Sequence, residues 1–292
     1  MTTTYLGLLL LLSAIWGASF MLIKIGVGEI GPLTFATLRV LIGSLSLAVA
    51  LRATHQKAPT SPRIWWRFLV MGALGITIPF GAISWGTQYI ASGLSAILNA
   101  AMPLFTVILA AVWGDEKFTL KRMLGVLVGF GGIVVLTWPK LQGGLEASIW
   151  GELAVVLAAL AYAVAIVYAR HHLTGQPPIV ASFGQVTTGC LLFIPFTLAF
   201  EQPFAVMPSL KVIGAVLAIG VLGTGVAYII YYRLLNGLGA TGTSLVTYVV
   251  PVFGIFWGWA ILGERLGWHA FAALGMILVG LLLVNNVPLR KR

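Results

Sequence analysis

Residues 103–116 read PLFTVILAAVWGDE, and residues 251–264 read PVFGIFWGWAILGE. Each stretch begins with a proline, has a phenylalanine two residues later, continues as an apolar run and ends in a glutamate. The matching residues of the two stretches are 148 positions apart. Nearer the start of each half, Pro32 corresponds to Pro178 at an offset of 146. The chain therefore contains the same pattern twice.

The composition places most of the chain in lipid. Of 292 residues, 60% are hydrophobic and only 8% are charged, against about 25% charged in soluble domains, and the mean hydropathy is +1.03. The only cysteine, Cys190, excludes an intramolecular disulfide and a cysteine metal cluster. The net charge of +10 is spread over many connections, which argues against a nucleic-acid partner. Soluble enzymes, disulfide scaffolds and disordered chains are excluded.

Ten apolar stretches approach the length of about 20 residues that a helix needs to cross a bilayer. The first resembles a signal peptide, but no basic residue precedes it and the repeat requires it as a helix. The predicted fold is an all-α integral membrane protein of ten transmembrane helices. The predicted spans 1 to 10 are residues 5–25, 33–52, 66–87, 92–113, 120–138, 150–169, 179–200, 211–234, 240–262 and 268–286.

Five helices per repeat is an odd number, so the second repeat inserts with the opposite polarity. The expected domains are residues 1–140 and 147–288, forming two inverted five-helix repeats. Such halves can exchange conformations, which is the basis of alternating access in transporters; a duplication kept for packing alone is the alternative. With cytoplasmic N- and C-termini, twelve of the 17 Lys and Arg residues lie on the cytoplasmic side, as the positive-inside rule favours.

Several short motifs resemble those of the EamA-type transporters of the drug/metabolite transporter superfamily. They include Trp16-Gly17-x-x-Phe20, Thr37-Leu38-Arg39, Gly114-Asp115-Glu116 and Leu262-Gly263-Glu264. Within this family the chain is most similar to the YddG-type bacterial exporters of aromatic amino acids. The resemblance implies an inner-membrane exporter without a cofactor, whose central cavity is lined by spans 1, 3, 4, 6, 8 and 9. Spans 5 and 10 are then peripheral and available for a homodimer.

Charge placement narrows the solute. All seven acidic residues fall in predicted loops or at helix ends, so neither a permanent cation nor carboxylate-based ion coupling is expected. Few basic residues lie inside spans, which disfavours phosphorylated solutes. We therefore expect export of aromatic or apolar amino acids, with another small neutral or zwitterionic solute as the alternative. A lipid-modifying enzyme is disfavoured, since no catalytic or metal constellation is visible, and a channel or scaffold remains a third reading.

Aromatic and weakly polar residues within spans are the candidate solute ligands, although many membrane aromatics only anchor helices at the interface. Trp16 and its repeat counterpart Tyr162 are the most central. Asn99 is expected either to bond a neighbouring helix or to contact the solute. The full set of predicted solute-binding residues is Trp16, Tyr162, Asn99, Trp85, Tyr228, Tyr248 and Ser244.

Four residues are candidate hinges: Pro103 and Pro251, which should kink their helices, and the paired glycines Gly75 and Gly223. The kinks are equally compatible with static bends that widen a cavity.

Three charged residues are assigned structural roles. Arg39 lies inside span 2 and needs a partner there, either helix-end carbonyls or the carboxylate of a substrate. Glu116 and Glu264 are expected to cap the following spans 5 and 10 or to pair with Lys117 and Arg265.

Overall fold

The computed structural model describes residues 3–113, 119–141, 147–203 and 205–284, which are helical with short connections and contain no strand. Two π-helical segments interrupt the α-helices at Ala73–Thr77 and Val221–Val226. The α-helices of this described part are α1 (Thr3–Gly26), α2 (Pro32–Ala53), α3 (Pro62–Gly72), α4 (Ile78–Thr87), α5 (Ser92–Asn99), α6 (Met102–Val112), α7 (Leu120–Leu141), α8 (Ala147–His172), α9 (Pro178–Phe200), α10 (Leu210–Gly220), α11 (Ala227–Thr243), α12 (Val246–Leu262) and α13 (Trp268–Val284).

Eight helical stretches within the described residues are long and apolar enough to cross a membrane. They are α1, α2, α3 with α4, α5 with α6, α7, α8, α9, and α10 with the start of α11. The expected all-helical membrane protein is therefore confirmed. The count of ten spans is not, because α12 and α13 are apolar but only 17 residues long. The predicted span 240–262 starts later than expected, at Val246, since α11 continues to Thr243.

The two π-helical segments lie 148 positions apart and contain Gly75 and Gly223. A π turn bonds to the carbonyl five residues back instead of four, so some carbonyls lose their usual partner. In each segment a threonine hydroxyl bonds such a carbonyl: Thr77 Oγ1 donates to Gly72 at 3.2 Å and Thr224 Oγ1 donates to Ile219 at 3.3 Å. Both halves of the chain thus carry the same local deformation.

Pro103 and Pro251, which correspond to each other in the two repeats, occupy different helical positions. Predicted span 4 is two helices, since α5 ends at Asn99 and α6 begins at Met102. Pro103 is the second residue of α6, where a missing N–H leaves no intrahelical bond unmade. Pro251 instead lies inside α12, which continues through it. In the first half, the helix is interrupted for two residues just before Pro103. In the second half, the helix continues through Pro251.

The packing of the helices follows the repeat. Helix α1 packs on α12 and on α10 and α11, while its repeat counterpart α8 packs on α5 and α6 and on α4. Likewise α2 packs on α10, and its counterpart α9 packs on α3. Helices α2 and α9, α5 and α12, and α7 and α13 pack on their own counterparts. These pairings are those that a two-fold axis relating the halves would generate.

Helices α7 and α13 approach closely through glycines. A Cβ placed on Gly280 would lie 2.9 Å from both the Cα and the N of Gly129, and one on Gly125 would lie 2.7 Å from the Gly280 carbonyl oxygen. Real side chains do not tolerate such distances, so the backbones meet only because these residues are small. Gly275 on the same helix has no atom near its Cβ direction.

Replacing Gly280 with leucine should separate α7 from α13 and lower the melting temperature of the purified protein in detergent. Overpacked sites typically lose about 1–3 kcal/mol. Gly275→Leu adds the same side chain to the same helix in open space and is expected to melt as the wild type does. Equal melting temperatures for the two variants would contradict the glycine contact.

Candidate functional site

A cavity of about 440 Å³ lies between the two halves of the chain and opens at the membrane face where α1 begins. We call this the open face. The volume is in the range of small-molecule sites. Helices α1, α2, α9 and α11 contribute walls to it. The described lining residues therefore come from spans 1 and 8, as expected, but also from spans 2 and 7, and none of them comes from the expected spans 3, 4, 6 and 9. Among its lining residues are Tyr5, Leu47, Gln56, Ser182, Tyr228 and Arg233.

The charge of the cavity is positive. Arg233 is exposed at its wall, and the described residues that line it include no carboxylate. An anionic or zwitterionic molecule is therefore favoured at its mouth over a cation.

An aromatic cluster meets the cavity at Tyr228, and we call it the aromatic floor: Trp16, Phe80, Tyr162, Tyr228 and Tyr231. The ring centroids of Trp16 and Tyr231 are 5.7 Å apart, and those of Phe80 and Tyr162 are 6.4 Å apart. Tyr228 interacts electrostatically with both Tyr162 and Tyr231, which joins the two pairs. The floor thus brings together three predicted solute-binding residues, including the counterparts Trp16 and Tyr162.

Helix α1 is tied to the second π-helical segment through Trp16. Its Nε1 donates to the carbonyl of Gly223 at 3.2 Å, and Ser19 of the same helix lies next to Gly223. A carbonyl within the π-helical segment thus accepts from a side chain of the aromatic floor. The predicted hinge glycine and the predicted ligand Trp16 are therefore in direct contact.

Behind the aromatic floor lies Arg39, which is only 7% exposed. Its guanidinium stacks on Phe80, with Cζ 3.8 Å from the ring centroid, and interacts electrostatically with Tyr162 and Tyr228. Gln185, the repeat counterpart of Arg39, donates from Nε2 to the Tyr228 hydroxyl at 3.1 Å. Neither helix-end carbonyls nor a protein carboxylate bond the guanidinium within the described residues, so the expected structural partner is not found there.

The opposite membrane face, where α1 ends, is closed by carboxylates on helix N-termini, and we call it the capped face. Glu201 accepts from the N–H groups of Leu33 and Thr34 at 2.9 and 2.7 Å, at the start of α2. Glu264 accepts from the N–H groups of Ser92 and Gly93 at 2.7 and 3.1 Å, at the start of α5. Helix N-termini favour negative charge, so both contacts are stabilising.

A third carboxylate completes the capped face. Glu29 accepts from the backbone N–H and the hydroxyl of Ser209 at 3.0 and 2.8 Å, at the N-cap of α10. These hydrogen bonds hold the pKa of Glu29 below its ordinary value. All three contacts join a residue of the first half to a residue of the second, so the halves are fastened to each other on this side.

Lys24 also belongs to the capped face. Its Nζ donates to the carbonyls of Thr87, Gln88 and Ile90 at 2.8, 3.1 and 2.9 Å, just beyond the end of α4. This arrangement satisfies an ammonium group with carbonyls at a helix C-terminus.

Three other predicted ligands, Trp85, Tyr248 and Ser244, make contacts outside the aromatic floor. Trp85 is 39% exposed and contacts Tyr89, with ring centroids 5.0 Å apart. Tyr248 donates its hydroxyl to the carbonyl of Leu281 at 3.0 Å. Ser244 lies in the connection between α11 and α12, and its carbonyl accepts from Thr247.

Asn99 occupies the last residue of α5, at the break in predicted span 4. Its Oδ1 is buried and has no hydrogen-bond partner in the part of the chain that the structure describes. An interhelical bond through this oxygen is thus not formed there, which leaves solute contact as a prediction.

Sequence reasoning placed some acidic residues imperfectly. Glu264 does hold a helix N-terminus, but that of α5 instead of the following α13. Glu116 lies outside the described residues. Glu152, near the start of α8, is buried and accepts from Thr137 at 2.7 Å. The roles of Glu29 and Glu201 were not predicted, because their partners are more than 160 positions away.

The model of the EamA-like transporter family matches residues 3–138 and 149–286. The described part of the chain holds no group of three His, Cys, Asp or Glu side chains that could bind a metal ion.

Several curated proteins are similar to this chain over nearly its whole length. The uncharacterized transporter YoaV of Bacillus subtilis (strain 168) is 25% identical over 86% of both chains. The uncharacterized inner membrane transporter YedA of Escherichia coli (strain K12) is 28% identical over 96% of this chain and 90% of its own. A probable terminal-alkyne amino-acid exporter of Streptantibioticus cattleyicolor is 24% identical over 95% and 92%.

A solved crystal structure shares the fold. It superposes with a TM-score of 0.68 at 19% identity and covers 97% of this chain and 96% of that chain.

Replacing Trp16 with phenylalanine should loosen the second π-helical segment, because the Gly223 carbonyl loses its donor. Faster hydrogen exchange of residues 221–226, measured by mass spectrometry, is the expected result. Trp257→Phe is the matched control: that indole also donates to a backbone carbonyl at 3.2 Å, but to Ala14. Unchanged exchange in Trp16→Phe, or the same change in both variants, would contradict the tie.

Proposed function

The chain belongs to the EamA-like transporter family, and from this premise we propose that it exports aromatic or apolar amino acids by alternating access. It is a multi-pass membrane transporter and not an enzyme. The amino-acid class is supported by the aromatic floor, by the absence of carboxylates among the described lining residues, and by the relative named as an amino-acid exporter. YddG-type specificity is the narrowest form of this proposal.

The observation that carries the mechanism is the asymmetry of the two faces. The cavity extends from the open face to Tyr228 of the aromatic floor, whereas three carboxylates join the halves at the capped face. Release of these contacts and closure around the cavity would expose the floor to the other side. The π-helical segments with Gly75 and Gly223 are suited to this change, since the hydrogen-bond register there is already altered.

Further parts of the proposal concern placement. We place the protein in the bacterial inner membrane, which agrees with the name of the relative YedA, with both termini and the open face toward the cytoplasm. The halves 1–140 and 147–288 act as inverted repeats, in keeping with the paired helix contacts. A homodimer through the peripheral α7 and α13 stays a prediction.

Counterflow tests the solute class. Proteoliposomes preloaded with unlabelled phenylalanine should take up labelled phenylalanine transiently above equilibrium, and initial rates should saturate with concentration. A neutral sugar and a quaternary ammonium compound tested in parallel should give no counterflow. Linear flux without counterflow would point to a channel, and counterflow of the cation alone would overturn the amino-acid proposal.

The carboxylate contacts at the capped face can be tested by labelling. In a Cys190→Ser background, the substitution Thr37→Cys provides a thiol that reports opening of the capped face. The Thr37 hydroxyl is hydrogen-bonded to that of Thr197 at 2.6 Å, further into the membrane than Glu201, so a labelling reagent reaches this position only when the face opens. Glu201→Gln removes the charge at the α2 N-terminus, which is typically worth about 0.3–1 kcal/mol, so labelling by an impermeant maleimide should rise up to several-fold.

Gln202→Ala is the matched control, since its side chain is exposed one position away. It should label as the parent does. Equal labelling of Glu201→Gln and the parent would show that the Glu201 contact does not hold this face closed.

A further inference from the structure

Two cations of the described helices, Lys24 at the capped face and Arg39 within α2, have different surroundings. Lys24 is surrounded by three carbonyl oxygens within 3.1 Å. Arg39 is 93% buried and has no hydrogen-bonding acceptor among the described residues; its Nε is wholly enclosed. A guanidinium carries five N–H donors, and a donor left unbonded away from water, as the Nε of Arg39 is, costs free energy. The buried guanidinium is therefore able to accept a ligand with oxygen acceptors.

The surroundings of Arg39 indicate what this ligand would be. Phe80 covers one face of the guanidinium plane, which leaves the in-plane N–H groups for a ligand. The polar groups known to interact with Arg39 are the neutral hydroxyls of Tyr162 and Tyr228, and Tyr228 also accepts from the amide of Gln185. Tyr228 also lines the cavity, so this side chain connects the surroundings of Arg39 with the cavity wall. A carboxylate matches the planar fork of a guanidinium in shape and charge.

We propose that Arg39 binds the carboxylate of the transported solute behind Tyr228, with the rest of the solute against the aromatic floor. This inference rests on the proposed function and narrows it to solutes that carry a carboxylate. One guanidinium neutralises a carboxylate, whereas a phosphate dianion would leave an excess charge among neutral side chains. Arg233 at the cavity wall attracts the anion, and Arg39 receives it.

The test uses the full-length protein in detergent and a pair of probes that differ only in charge. Phenylacetate should raise the melting temperature of the wild type by about 3 °C at ten times its dissociation constant, and phenylacetamide should not. Arg39→Gln should abolish this preference. Lys24→Gln, which removes a half-buried cation that already has carbonyl acceptors, should keep this preference. Equal shifts with both probes, no shift of the wild type by the acid, or a retained preference in Arg39→Gln would each overturn the inference.

Two additional arms close the remaining routes. If Arg39→Gln does not fold, Arg39→Lys keeps the positive charge but lacks the planar set of guanidinium donors. This variant should show at most half of the melting-temperature shift that phenylacetate causes in the wild type, and an unchanged shift would contradict the proposal. Inorganic phosphate should stabilise the wild type less than phenylacetate does. A larger Arg39-dependent shift with phosphate would replace the carboxylate with a phosphate as the ligand.

Counterflow separates this inference from the proposed function. The wild type should exchange phenylalanine but not phenylalaninol, which lacks the carboxylate, and Arg39→Gln should lose this discrimination. Exchange of both compounds by the wild type leaves an amino-acid-type transporter but removes the role of Arg39. An Arg39-dependent acid shift without any counterflow keeps the anion site and removes the proposed function.

Discussion

Hydrocarbon offers no hydrogen bonds, and this constraint organises the molecule. A backbone polar group in the bilayer needs a partner within the protein, which makes the chain helical wherever it crosses. At the places where a helix ends or deforms, a side chain takes over. Thr77 and Thr224 bond carbonyls at the π turns, Trp16 bonds Gly223, and Lys24 bonds the carbonyls beyond α4.

The same constraint explains how the two halves are joined. Helix N-termini leave N–H groups without partners, and at the capped face the partners are carboxylates from the opposite half. Glu201, Glu264 and Glu29 each serve a helix across the interface. In the proposed mechanism these contacts hold the capped face closed and are released when water replaces them at the membrane surface. At the open face the described residues form no such carboxylate contact; there Arg67 donates to the carbonyl of His172 at 2.9 Å, and the cavity lies on this side.

Like Asn99 Oδ1, the Nε of Arg39 is a buried polar atom without a hydrogen-bond partner in the described part of the chain. The guanidinium stacks on Phe80, but this contact does not bond the Nε–H donor. Lys24 differs, because this half-buried cation at the capped face donates to three backbone carbonyls. A buried donor without an acceptor calls for an explanation, and the proposed carboxylate contact of Arg39 supplies one.

Periodic and compositional features were legible in the linear chain. Apolar length predicted a helical membrane protein, the two proline-to-glutamate stretches revealed the repeat, and that repeat paired Trp16 with Tyr162 and Gly75 with Gly223. These properties depend on local sequence or on the correspondence between the two repeats, so they can be predicted from the sequence alone. The break after Asn99, the late start of α12 and the destination of Glu264 were decided by contacts between residues far apart in the chain. The surroundings of Arg39 likewise depend on which side chains the packed helices bring within 4 Å of it. Only the tertiary structure decides that its guanidinium stacks on Phe80 and that its Nε has no carbonyl acceptor among the described residues.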